Sequence, residues 1–248
     1  MSIQMNQSLS VDCVVFGFNG KALKVLLVDR RDLECGNNLY KLKLPGAMIL
    51  ENETLLEAAY RVLENASGIR NAFLKQLEIF SDPNRVSKEE LEWICKYHGI
   101  RTERVVTVGY YALLKLDMQT IAYTTAKGAQ WRDVDSIQRL AMDHKKILSV
   151  ALSYLYKEML MSPIAFELLP HKFTIRELQN LYSIVLGIEI DNRNFRKKIL
   201  ASGFLVATNE KEVGVNHKPA RYYYFNHKAY KKVNKSKSCL GFINNWLY

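Results

Sequence analysis

The sequence has little of what membrane and secreted proteins use. No stretch approaches the roughly 18–20 uninterrupted apolar residues that a helical membrane span needs. The first ten residues are polar and carry no apolar segment of a secretory signal. The expectation is a cytoplasmic protein without membrane contact. Only four cysteines occur, Cys13, Cys35, Cys95 and Cys239, far apart and without a C-x-x-C pair. Their scatter argues against a disulfide framework and against a zinc site, which needs clustered ligands. Acidic residues are scarce in the last third. Residues 161–248 hold 14 Lys and Arg against 6 Asp and Glu, whereas residues 1–160 hold 21 against 19. A +10 chain with its excess at one end points to a C-terminal module for a polyanion, nucleic acid first. A merely basic, solvated surface is the alternative. With 48% apolar and 24% charged residues the chain is an ordinary globular one, and its 248 residues suit two domains.

Periodicity gives an α+β reading. Residues 11–18 (VDCVVFGF) and 23–28 (LKVLLV) read as strands around Asn19-Gly20, a two-residue turn signal. A polar loop follows to Asn38, then a short strand 39–44 stopped by Pro45-Gly46. Residues 53–66 repeat apolar positions at three and four, with Gly68 as a helix terminator. Strands are expected at 75–80 and 105–116. Between them, Ser87 and Glu90 resemble a capping box ahead of a helical stripe of Leu91, Ile94 and Cys95. A short helix is expected at 135–140. A longer one is expected at 144–161, capped by Asp143 and ended by Ser162-Pro163. The boundary falls between Met161 and Phe173, where Pro163 and Pro170 bracket an apolar connection, giving domains 1–161 and 162–248.

The segment from Pro45 reads PGAMILENETLLEAAYRVLENASGI. It resembles the Nudix box, G-x5-E-x7-R-E-U-x-E-E-x-G-U with U bulky and aliphatic. Glu53, Arg61, Leu63, Gly68 and Ile69 match with correct spacing. The departures fall on Ala47 for the first glycine and on Val62, Asn65 and Ala66 for the three helix carboxylates. In active Nudix hydrolases those carboxylates hold magnesium, a hard cation that takes oxygen ligands. Glu64 lies about 100° round the helix from Asn65 and does not replace it. The resemblance therefore implies a binding domain derived from an enzyme, with no catalytic residue, resident metal or cofactor. Asp12, Arg30, Lys43 and Glu51, on the segments flanking the old substrate cleft, are the candidate effector-binding residues. Each also reads as an ordinary surface or salt-bridged charge. His98 and His144 read as structural or exposed.

In the last third, Thr174 and Glu177 form a capping-box pattern before ELQNLYSIVLG, and Asp191 can cap a second, basic helix ended by Gly203. Two helices joined by a short turn outline a helix-turn-helix. On a helical wheel Phe195, Ile199 and Ser202 face inward. Arg193, Asn194 and Lys197 face away, with Arg196 and Lys198 flanking. Arginine and asparagine read guanine and adenine bidentately, and lysine neutralises phosphate. Strands at 204–208 and 220–225 around a polar turn supply a wing, with Lys218 and Arg221 beside the turn. The two halves together resemble the NrtR- and AraR-like Nudix-related transcriptional regulators. That resemblance implies a Nudix-like mixed-sheet domain followed by a winged helix-turn-helix. It implies double-stranded operator DNA as partner, a sugar or ADP-ribose-like effector, a homodimer, and control of pentose or NAD metabolism genes. A Nudix hydrolase with a nucleic-acid-binding appendage, and an RNA-binding protein, are the competing readings.

Overall fold

The computed structural model describes residues 5–30, 40–70, 72–216 and 218–234. Cys35, Cys239 and most of the loop expected after Asp29 lie outside them. The chain divides into two compact units. One holds residues 1–17 with Lys24–Ser153, the other holds Phe18–Leu23 with the chain from Tyr154 onward.

The first unit contains β1 (Met5–Phe18) as far as Gly17, β2 (Leu23–Asp29) from Lys24, β3 (Leu42–Lys43), β4 (Gly46–Leu50), α1 (Leu55–Ser67), β5 (Phe73–Phe80), α2 (Lys88–His98), β6 (Val106–Lys115), α3 (Met118–Ala126) and β7 (Ala129–Asp133), and the start of α4 (His144–Met161). The strands form one seven-stranded sheet along β3-β2-β1-β6-β5, with β4 paired to β1 and β7 to β2. The β1–β2 turn follows its sequence. Gly20 takes φ +87, and the Asn19 side chain accepts from the N–H groups of Lys21 and Ala22 at 3.1 and 2.8 Å. Along β1 the side chains alternate. Val11, Cys13 and Val15 enter a core with Ala58, Ala59, Val62 and Leu63 of α1, leaving Ser10 and Asp12 on the opposite face.

Helix α1 starts at Leu55 rather than Glu53. Thr54 is the N-cap and forms a capping box with Glu57, and Gly68 ends the helix at φ 74. Glu53 thus precedes the helix. Its carboxylate accepts from Leu50 N–H at 2.7 Å and from Arg61 Nε at 2.9 Å and Nη2, while Arg61 Nη2 also reaches Met48 O at 3.0 Å. Burial opposes the carboxylate's charge, but the hydrogen bonds from Arg61 and Leu50 win and hold Glu53 below the ordinary carboxylate range. The pair staples the end of β4 and the 51–54 turn onto α1.

The Ser87–Glu90 capping box of α2 is present, and Gly99 closes the helix at φ 64. Its inward residues are Glu90, Trp93 and Ile94, so the expected stripe is rotated. Trp93 and Ile94 pack with Met48 and Val105 in a second, smaller cluster. Three elements of this unit were not expected: β4, which follows directly on the Pro45-Gly46 read as a stop, α3, capped by the Asp117 side chain accepting from Thr120 N–H at 2.7 Å, and β7. The helix expected at 135–140 is a 3₁₀ turn at Val134–Ser136. Asp143 does not cap α4 with its side chain. Its carboxylate is held by Arg85 Nε at 3.0 Å and Nη2 at 2.6 Å.

In the second unit a 3₁₀ turn (Pro163–Glu167) buries Ile164, Ala165 and Phe166. Then come β8 (Phe173–Thr174), α5 (Ile175–Leu186), α6 (Asn192–Ala201), β9 (Leu205–Lys211), β10 (Arg221–Phe225) and α7 (His227–Asn234), with a small sheet ordered β8-β10-β9. The Thr174–Glu177 capping box and Gly187 at φ 66 bound α5. Leu178, Leu181, Tyr182, Phe195 and Ile199 are fully buried. The Tyr182 and Phe195 rings lie 6.2 Å apart, and Phe166 stacks on Phe225 at 4.0 Å. This is the helix–helix–hairpin order of a winged helix. Among the described residues no helix is long and apolar enough to cross a membrane.

Candidate functional site

The first unit contains a cavity of about 520 Å³, within the size range of small-molecule sites. Its walls come from β1 (Ser10, Asp12), the Lys43–Met48 segment, α1, Arg85 with Thr107, α2, and the turn holding Lys127. The α1 residues on the wall are Val62, Asn65 and Ala66. These are the positions where the Nudix box carries its carboxylates, and their i, i+3, i+4 spacing puts them on one helix face. The donor set there is two aliphatic groups and an amide, which does not fit a magnesium ion. Glu64 lies off that face, paired with Arg70 at 2.7 Å on the surface.

Asp12 and Lys43, two of the four expected effector residues, meet in this cavity. The Asp12 carboxylate lies directly over Gly46. A Cβ on Gly46 would stand 1.7 Å from Asp12 Oδ1, so the Pro-Gly of the sequence admits the carboxylate. Asp12 Oδ2 is 3.6 Å from His144 Nε2. His144 Nδ1 accepts from Leu44 N–H at 2.9 Å, which places the ring's own proton on Nε2, toward Asp12. Burial pushes the His144 pKa down to about 4 against the opposing pull of Asp12, so the ring is neutral. Lys43 Nζ donates to Leu44 O at 3.1 Å and Gly46 O at 3.2 Å. Burial lowers its pKa, and Asp12 opposes that shift.

Arg30 and Glu51 do not line the cavity. The Arg30 side chain is wholly buried, 3.5 Å from Glu90 Oε1, with its guanidinium 4.0 Å from the centroid of the Trp93 ring. Among the described residues none of its guanidinium nitrogens has a hydrogen-bond partner. Burial lowers its pKa and Glu90 counteracts this. Glu51 is exposed in the turn after β4. The sequence reading missed Arg85, Trp93, Tyr97 and Lys127, and it set aside His98, which lines the cavity too. Arg85 Nη1 donates to Thr107 Oγ1 at 2.6 Å, and Thr107 meets Ser10 Oγ at 2.6 Å. A buried polar chain thus runs Ser10–Thr107–Arg85–Asp143. The Trp-x3-Tyr spacing on α2 was the one available signal for the aromatic wall, since i and i+4 share a helix face.

In the second unit Asp191 caps α6, its carboxylate accepting from Asn194 N–H at 2.7 Å. Phe195 and Ile199 point into the core, whereas Arg193, Arg196 and Lys197 are exposed and Asn194 and Lys198 half-exposed. Gln179 Nε2 donates to Ile190 O at 2.7 Å and ties the turn between α5 and α6 to α5. The wing loop is closed by two bonds of 2.9 Å, Glu212 N–H to Ala220 O and Ala220 N–H to the Glu212 carboxylate. Lys218 and Arg221 are exposed on it, and Arg221 pairs across the ladder with Lys211.

Residues 165–225 match the family model of the NrtR DNA-binding winged helix domain. The ADPR-responsive transcriptional repressor NtrR of Acinetobacter baylyi is 25% identical over 225 residues, covering 88% of this chain and 81% of that protein. Shewanella oneidensis NrtR, in a crystal structure with a 27mer DNA, is 25% identical with a TM-score of 0.71, covering 90% of this chain and 95% of that one. A MutT/nudix family protein of Enterococcus faecalis shares the fold at 22% identity and a TM-score of 0.61, covering 91% and 89%. The chain is thus similar to NrtR regulators over most of its length, with a Nudix-like fold followed by an NrtR-type winged helix domain.

Proposed function

We propose that this chain is a transcriptional regulator that binds operator DNA through residues 162–248 and an ADP-ribose-like effector through residues 1–161. The observation that carries the reading is the α1 wall. A Nudix helix presents Val62, Asn65 and Ala66 to a formed cavity, so the site can hold a ligand without the carboxylates that hydrolysis needs. The effector class is supported by the ADPR-responsive relative. A cavity with lysines and an aromatic wall suits a nucleotide sugar better than a bare pentose.

On this reading Arg193 and Asn194 read base edges and Arg196, Lys197 and Lys198 hold phosphates. Lys218 and Arg221 of the wing hold the backbone beside them. A homodimer would engage half-sites about one helical turn apart. The effector acts by binding the DNA-competent and DNA-incompetent states with different affinity. Asp12 and Lys43 are the effector contacts on β1 and β3. A thermal-shift panel of ADP-ribose, pentoses and hexoses tests the effector class, because a ligand of the native state raises the melting temperature. ADP-ribose is expected to raise it. A pentose that raises it while ADP-ribose does not would overturn the class.

A further inference from the structure

Helix α2 supplies the aromatic wall of the cavity. Trp93, Ile94, Tyr97 and His98 lie on one helix face, and all four line the cavity. The Trp93 and Tyr97 rings are stacked, centroids 4.9 Å apart and planes within 11°. The Arg30 guanidinium lies over the Trp93 ring at 4.0 Å from its centroid. The result is a column of guanidinium, indole and phenol, closed by protein at the Arg30 end. Trp93 is 8% exposed, whereas Tyr97 at the other end keeps 40% of its surface. His98 stands perpendicular to Tyr97 at 4.9 Å, which restricts the phenol ring further.

An exposed ring held in place by its neighbours loses little rotamer entropy when a second ring packs on it. Aromatic rings prefer such offset-stacked contacts. Every nucleobase presents a flat π-face, whereas a pentose phosphate has none. The buried Arg30, whose charge among the described residues meets Glu90 and the indole, has a use in this column: it fixes the plane of Trp93 and, through it, that of Tyr97.

We propose that α2 is the nucleobase-binding wall of the cavity, with the heteroaromatic ring of the ligand stacking on Tyr97 and extending the Arg30–Trp93–Tyr97 column. This rests on reading the cavity as the effector site, and it makes Tyr97 the residue that selects nucleotides over sugars.

Calorimetric titration of the full chain and its Tyr97→Phe and Tyr97→Ala variants tests it, with ADP-ribose and ribose 5-phosphate as probes. Etheno-ADP-ribose, whose base fluorescence is quenched by stacking, gives a second readout. Tyr97→Phe should bind ADP-ribose nearly as the parent does, and Tyr97→Ala about 10- to 100-fold more weakly. Etheno fluorescence should fall on the parent and on Tyr97→Phe, and should stay high on saturated Tyr97→Ala. The side chain is 40% exposed, so Tyr97→Ala should melt near the parent temperature. Unchanged ADP-ribose affinity in Tyr97→Ala, or an unquenched etheno ring on the parent, overturns the proposal and leaves the effector cavity standing. Binding of ribose 5-phosphate with no nucleotide bound does the same. Binding of none of the three probes by the parent overturns both readings.

Discussion

Replacing His144 by Asn should flatten the acid side of the stability curve. His144 is 1% exposed, and its ring faces Asp12 on β1, Lys43 on β3, Asp143 beside it and Arg85 before α2. Burial lowers its pKa from 6.5 to about 4. The unfolded chain therefore binds a proton that the native chain refuses throughout the window between about 4 and 6.5. In that window stability rises with pH, and it falls as acid is added. A gap of this width, at 1.36 kcal/mol per pH unit, amounts to about 3 kcal/mol lost between the two ends. Asparagine offers an amide oxygen where Nδ1 accepts from Leu44 N–H, so the native bond survives and the titration disappears. Urea unfolding of both proteins at closely spaced pH values measures the difference, which cancels the carboxylates common to both. Stability curves with the same slope between pH 4 and 6.5 would refute a buried neutral His144, and so the packing of β1 and β3 against the start of α4.

Further outcomes follow from the same geometry. Gly46→Ala drives a methyl group into the Asp12 carboxylate; it should cost about 1–3 kcal/mol of stability and weaken effector binding, read by urea unfolding and calorimetry. Arg193→Ala or Asn194→Ala should each cost roughly 1–3 kcal/mol of DNA affinity and relax one base position. Lys197→Ala or Lys218→Ala should weaken binding to all duplexes and reduce the salt slope by about one phosphate contact. Phe195→Ala, at a fully buried position, should instead destabilise the second unit by about 3–5 kcal/mol, seen as a lowered melting temperature. With magnesium present the protein should leave ADP-ribose intact by chromatography; metal-dependent turnover would contradict the account of the α1 wall.

What could be read from the sequence was local chemistry. The Ser87–Glu90 and Thr174–Glu177 capping boxes, the αL glycines at 68 and 187 and the Asn-Gly turn all act within a few residues, and each lies where its motif put it. The wheel of α6 separated Phe195 and Ile199 from the basic face, whereas the face that Asp12 takes on β1 came only with the sheet. Helix α3 escaped because MQTIAYTTA is rich in β-branched threonine and weakly amphipathic, so its start is marked only by Asp117. Asp143 looked like a cap because its partner Arg85 is 58 residues away in sequence. The aromatic wall was missed for the same reason. That Trp93 and Tyr97 line one cavity with Asn65 and Lys43 follows from tertiary packing. Arg30 and Glu51 were picked out for their charge, and burial behind Trp93 in one case and exposure in a turn in the other keep both off the wall.

The central claim is that one ligand in the first unit controls DNA binding by the second. Fluorescence anisotropy of a palindromic operator duplex, titrated with the full chain at fixed salt with and without saturating ADP-ribose, tests it most directly. ADP-ribose should change the DNA dissociation constant by roughly 5- to 150-fold, and DNA should change the affinity for ADP-ribose by the same factor. Identical dissociation constants in the two titrations, with ADP-ribose bound, would contradict it.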